Sequence, residues 1–203
     1  DISNLKKYNS IVFSIKKDLF RQLYVDVKNL LDACMASSLK RVYFFNKSHL
    51  PSFIIHINDL VEEQNGNIDD FLEDDILTAT FHVKEKDLNV FKRKILKDEY
   101  KSLSFFSWGI YEGITTFEVS LNIATKGHAL KYLAKIFDIP EENTIAFGDA
   151  ENDLSMLNDA NEGVFMCNSK DSVIHLGKHF TYKTSDEDGV VDYLEKMHPE
   201  LWK

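Results

Sequence analysis

Asp149, Glu151, Asn152 and Asp153 bring four oxygen-bearing side chains to the head of one short segment, TIAFGDAENDLSML at 144–157. Carboxylates and an amide this close in sequence suit a hard divalent cation such as Mg²⁺, which takes oxygen ligands. They also suit the start of a helix, where exposed N–H groups and the helix dipole favour acids. No Lys or Arg lies between Thr144 and Asn158 to neutralise the cluster. Several carboxylates without cations are costly unless a metal joins them, so cation binding stands beside plain capping as a reading of these residues.

The elements around the cluster give it a place. Thr144 to Phe147 reads as a short buried strand, Gly148-Asp149 as a break, and Ala150 to Leu157 as a helix with Leu154 and Leu157 on one face. Strand, tight turn and helix form the loop at which open α/β sheets bind ligands, outside the carboxyl ends of their strands.

The flanking sequence keeps that rhythm. Helices are expected at Lys126–Phe137, Lys170–Leu176 and Gly189–Met197, with strands at Gly163–Met166 and Phe180–Tyr182. Alternation with short links predicts a parallel sheet. Upstream of about residue 122 the pattern differs. Strands are expected at Ser10–Ile15, Phe20–Val25, Arg41–Phe45, Ile76–Val83, Leu103–Trp108 and Thr115–Leu121, and helices at Val27–Leu39, Pro51–Val61 and Lys86–Leu96. The one-faced alternation of 76–83 and 115–121 predicts an antiparallel sheet carrying helices on one face. The sequence therefore reads as an α+β domain over 1–122 and an α/β domain over 123–203.

The 203 residues carry a formal charge of −9, and residues 124–203 hold 15 acids against 8 bases. That balance disfavours nucleic acid as a partner. No apolar run reaches the roughly 18 residues of a membrane span. Cys34 and Cys167 lie far apart without a CxxC, so a reducing, cytoplasmic setting is expected and no disulfide framework.

Lys126 in TKGHAL opens a helix; GDAEND follows at 148–153, FMCNS at 165–169 and TSDEDGV at 184–190. In this order they resemble the C-terminal part of the haloacid dehalogenase-like superfamily, and most closely its Cof-type phosphatases with a large α/β cap. The resemblance implies a Rossmannoid parallel core with an α+β cap, and phosphoryl transfer through an aspartyl-phosphate with Mg²⁺ as cofactor. It implies catalytic roles for Lys126, Asp149 and Asp153: Lys126 neutralises phosphate, Asp149 binds the metal, and Asp153 holds the metal's shell. Asn152 and Asn168 would face the phosphate. The partner implied is a small phosphorylated metabolite such as a sugar phosphate. Asn168 stands in Met166-Cys167-Asn168-Ser169, where the family commonly has Met-Gly-Asn-Ala. The family's first motif, a strand ending in DxDGT whose first Asp is the nucleophile, is not in these residues; Asp186-Glu187-Asp188 lies in the region matching a later loop. The expectation is that such a segment lies upstream. The alternative is a non-catalytic, degenerate domain that binds a phosphorylated ligand or a protein partner.

Other residues have plainer readings. His175 and His179 share a helical spacing but lack a third zinc ligand. His128 reads as surface and Cys167 as a small buried hydrophobe. Phe105, Phe106, Trp108 and Tyr111 read as domain core and domain contact, and Glu118 as a solvent-facing acid.

Overall fold

The computed structural model describes residues 12–45 and 62–202. The chain divides into two compact units, Asp1–Ile123 and Ala124–Lys203.

In the first unit, helix α1 (Lys17–Val27) precedes strands β1 (Leu31–Ser37), β2 (Arg41–Phe45) and β3 (Glu62–Asn65). A short helix α2 (Ile68–Phe71), strand β4 (Thr78–Lys84), helix α3 (Leu88–Ile95) and strands β5 (Leu103–Tyr111) and β6 (Ile114–Leu121) complete it. The sheet runs β3-β2-β1-β4-β6-β5, antiparallel except where β3 lies along β2. Phe20, Leu23, Tyr24 and Val27 form the buried stripe of α1, and with Phe81, Phe91, Phe117 and Val119 they build one core. The β5–β6 hairpin closes through Glu112 and Gly113, both at positive φ (49° and 76°), the backbone that a two-residue hairpin turn needs.

Three expectations fail here. Phe20–Val25 is not a strand but the middle of α1, because 20, 23, 24 and 27 are spaced for one helical face. Val27–Leu39 is not a helix; most of it is β1. That strand lies between β2 and β4, with Leu31, Asp32, Ala33, Cys34 and Ala36 all buried, so no alternation is left to reveal it. Of Ser10–Ile15, only Ile15 pairs among the described residues, in a single bridge to Ile76. The helix expected at Pro51–Val61 lies outside the described residues. Strand β4 is also more buried than its pattern implied, since Thr80 and His82 are enclosed as well as Phe81 and Val83. Phe105 packs on the core, whereas Trp108 and Tyr111 stand exposed.

The second unit is a parallel sheet in the order β7-β8-β9: β7 (Ile145–Gly148), β8 (Glu162–Phe165) and β9 (His179–Phe180). Helices α4 (Lys126–Ile136), α5 (Leu154–Asp159), α6 (Asp171–Ile174) and α7 (Gly189–Met197) alternate with the strands. Ala146, Leu157, Phe165 and Val173 form its small core. Tyr193 of α7 sets its ring edge-on to Phe147 at 5.6 Å. The alternating parallel α/β order is the one that the sequence predicts for this part of the chain. Among the described residues no helix is long and apolar enough to cross a membrane.

Candidate functional site

Thr125 caps α4, its hydroxyl accepting the His128 N–H at 3.2 Å, so the chain turns into the helix with Lys126 as its first residue. Gly127 follows and is buried. A Cβ there would lie 2.6 Å from the Ser155 carbonyl oxygen, which only a glycine avoids. The Gly127 N–H donates to the Ser155 hydroxyl at 3.1 Å. This close approach of α4 to α5 brings the Lys126 ammonium onto the Asp153 carboxylate.

Asp153 is buried, at 4% exposed. One carboxylate oxygen takes Lys126; the other accepts the N–H of Asp149 at 3.0 Å and of Ala150 at 3.3 Å. Gly148 makes room for it, because a Cβ on Gly148 would sit 2.9 Å from the Asp153 Cγ. Capping and ion pairing are thus divided between the two oxygens of one side chain. A short 3₁₀ turn at Glu151–Asp153 precedes α5, where sequence predicts helix from Ala150.

Burial raises the Asp153 carboxyl, but the Lys126 ammonium and the two amides outweigh it and hold the group below its usual range. A depressed carboxyl adds stability above its unfolded pKa, near 3.9, and loses it as pH falls through the lower folded value. The urea midpoint of the wild-type chain should therefore exceed that of Lys126→Met at pH 5–7. The gap should narrow below about pH 4; a gap that stayed constant to pH 3 would contradict the pairing.

Asp149 and Asn152 are exposed at the same loop. No described residue gives the Asp149 carboxylate a hydrogen bond or ion pair, while its carbonyl accepts the Lys170 N–H at 3.0 Å. Glu151 turns aside to the Ser172 hydroxyl and to Lys170, 3.6 Å from its ammonium. Asn168 lies on the next loop, after β8, and exchanges hydrogen bonds with Ser185. Cys167 is exposed, not buried as its small apolar character suggests, and its main-chain N–H donates to the Thr181 hydroxyl at 3.0 Å. Sequence reasoning missed Gly127, Ser155, Thr181 and Ser185. Their only sequence signal is small size near the motifs; their partners are distant in the chain.

Among the described residues no three His, Cys, Asp or Glu side chains converge to hold a metal. An exposed carboxylate with no partner among the described residues, next to a carboxylate already fixed by hydrogen bonds, still fits Mg²⁺. That ion is commonly held by one or two carboxylates with waters and substrate phosphate filling the rest.

A haloacid dehalogenase-like hydrolase family profile matches residues 4–194. The 5-amino-6-(5-phospho-D-ribitylamino)uracil phosphatase YitU of Bacillus subtilis (strain 168) is 27% identical over 188 residues, 90% of this chain and 67% of that protein. Phosphatase YwpJ of the same organism is 43% identical over 81 residues, 40% of this chain and 28% of that protein. A haloacid dehalogenase-like hydrolase from Bacteroides thetaiotaomicron superposes with a TM-score of 0.72 at 20% identity, covering 91% of this chain and 68% of that one. The sugar phosphatase BT4131, a HAD subclass IIB structure, gives 0.68 at 19% identity, covering 91% and 67%. The chain thus spans about two thirds of the length of its longest-matching relatives, and less of others. With the site's geometry and a profile match over nearly the whole sequence, the chain belongs to the haloacid dehalogenase-like hydrolase family.

Proposed function

We propose that this chain supplies the cation- and phosphate-gripping part of a Mg²⁺-dependent phosphatase of small phosphorylated metabolites, such as sugar phosphates. Residues 1–122 serve as the cap and 123–203 as the C-terminal half of the core. One observation carries the reading: Asp153 holds Lys126 with one oxygen and the Asp149 main chain with the other, leaving the Asp149 carboxylate open to solvent. Phosphoryl transfer needs mostly positioning and charge neutralisation, which a fixed lysine beside an open carboxylate supplies.

Asp149 would hold Mg²⁺ directly, and Asp153 would fix the lysine and the turn behind it. Bound there, the ion would neutralise phosphate oxygens. Lys126, its side chain half exposed and its ammonium held by Asp153, would meet the phosphate, and Asn152 and Asn168 would line its approach. The relatives named as phosphatases of a phosphoribityl compound and of sugars support a phosphorylated metabolite as substrate. The nucleophile would come from a DxDGT segment outside these 203 residues. Within them the one DxD motif, Asp186-Glu187-Asp188, lies in a 3₁₀ turn leading into α7. The lack of that motif favours a second reading, a non-catalytic domain that binds a phosphorylated ligand or a partner.

Hydrolysis of p-nitrophenyl phosphate separates the two. The 203-residue chain alone should give none. A longer product carrying DxDGT should turn over only with Mg²⁺, and Asp149→Ala should slow it by about a hundredfold or more. Activity indifferent to EDTA and to Asp149→Ala would overturn the site assignment. Failure of the longer product to turn over would leave the binding domain.

A further inference from the structure

The loop after β8 is held on both sides. Toward β7, the Met166 N–H donates to the Gly148 carbonyl at 2.9 Å and the Lys170 N–H to the Asp149 carbonyl at 3.0 Å. Toward β9, the Cys167 N–H donates to the Thr181 hydroxyl at 3.0 Å, which itself donates to the Lys183 carbonyl at 2.7 Å. Thr181 is buried at 3% exposed, so this is an enclosed hydroxyl that both accepts and donates. Beside it, the Asn168 amide makes two bonds to one residue. Its oxygen accepts the Ser185 N–H at 3.3 Å and its nitrogen donates to the Ser185 hydroxyl at 3.2 Å.

A main-chain N–H can only donate, so it fixes which end of the amide faces it and sets the plane of the side chain. Two bonds to the same residue then hold Asn168 in one orientation. Ser185 in turn sits in a turn of its own, where Glu187 accepts from both the N–H and the hydroxyl of Thr184 at 3.2 and 2.9 Å. Contacts therefore run without a break from the β9–α7 turn, through Asn168, to the backbone of Asp149.

We infer that Ser185 is a positioning residue of this site, and that Asn168 serves the phosphate through its link to Ser185 rather than as a direct ligand. The inference rests on the phosphatase reading above and adds a third loop to the site. Losing the link leaves the Cys167–Thr181 bond as the loop's tie toward β9 and lets the Asn168 side chain and the residues leading to Lys170 lose their fixed orientation.

The test uses the 203-residue chain, isotopically labelled, with inorganic phosphate titrated in the presence of Mg²⁺ and followed by amide NMR shifts. Asn168→Ala and Ser185→Ala should each weaken phosphate binding by about three- to tenfold, the worth of one to two hydrogen bonds. The double variant should be no weaker than Asn168→Ala, since both changes break one link. Ser185→Thr, which keeps the hydroxyl, should restore binding. Ligand-free hydrogen exchange at the Ser185 amide should speed up in Asn168→Ala. Wild-type binding in Ser185→Ala beside weak binding in Asn168→Ala would overturn the inference, as would additive losses. No phosphate binding by the wild-type chain would overturn the positioning role, whereas the phosphatase reading falls only if the longer product does not turn over. An unchanged Ser185 amide in Asn168→Ala would refute the link alone, and the exchange rate reads that without any ligand.

Discussion

Asp153→Ala is expected to lower the stability of the second unit by about 2–4 kcal/mol and to weaken Mg²⁺ binding by more than tenfold. The substitution leaves the N–H groups of Asp149 and Ala150 without their acceptor, each a loss of about 1–3 kcal/mol where the group stays buried. It also removes the partner of Lys126, a smaller loss because that side chain is 50% exposed. With Mg²⁺ on Asp149 as proposed, the effect on the metal follows from the loosened turn beneath that residue, the kind of supporting bond whose loss costs tenfold or more in affinity. Asp153→Asn separates the two effects. It can keep one oxygen on the amides but turns an NH₂ toward the Lys126 ammonium, so stability should partly recover while Lys126 swings free. Urea unfolding gives the first quantity and Mg²⁺ titration calorimetry the second. A variant with wild-type values of both would remove Asp153 from the centre of the site.

Phe81→Ala should destabilise the first unit by about 3–5 kcal/mol, the usual loss for deleting a buried ring and leaving its cavity. Phe81 is fully buried on β4, in the interior of the six-stranded sheet, with the rings of Phe20 and Phe91 each 6.2 Å away. Those two rings belong to α1 and α3, so the cavity would loosen both helices from the sheet at once. Chemical unfolding of this variant should show the loss, and a change under about 1 kcal/mol would mean that the core collapses onto the gap. Trp108, exposed and bonded through its indole N–H to Glu118 at 3.1 Å, is too far from a typical core position to match this effect on truncation.

The parts of the site legible in the sequence were those written in short spans. GDAEND carries its own turn, and Lys126 opens a helix whose apolar residues Leu130, Leu133 and Phe137 are in register, so both are placed on a loop or helix start by local pattern alone. The parallel rhythm of the second unit was legible for the same reason, since each strand and helix is brief and separated by a turn. What could not be read were choices settled by distant partners. Leu31–Ser37 has the composition of a helix and becomes a strand because β2 and β4 flank it. Phe20–Val25 has residues at home in strands, yet it is helical because one face of it meets the sheet. Ser155 looked like any polar residue on a helix; its role depends on the N–H of Gly127, 28 positions earlier.

Lys126 occupies the first turn of an eleven-residue helix that has no acid in that turn. The free amides of such an end already carry positive partial charge, so a cation there opposes the helix it begins. The Asp153 carboxylate offsets that opposition, so the ammonium is tolerated at the helix start only while its partner is in place. Helix start and buried acid are therefore coupled: a substitution of Asp153 would leave the Lys126 ammonium facing the helix dipole alone, so positive potential at this point and the integrity of α4 fail together.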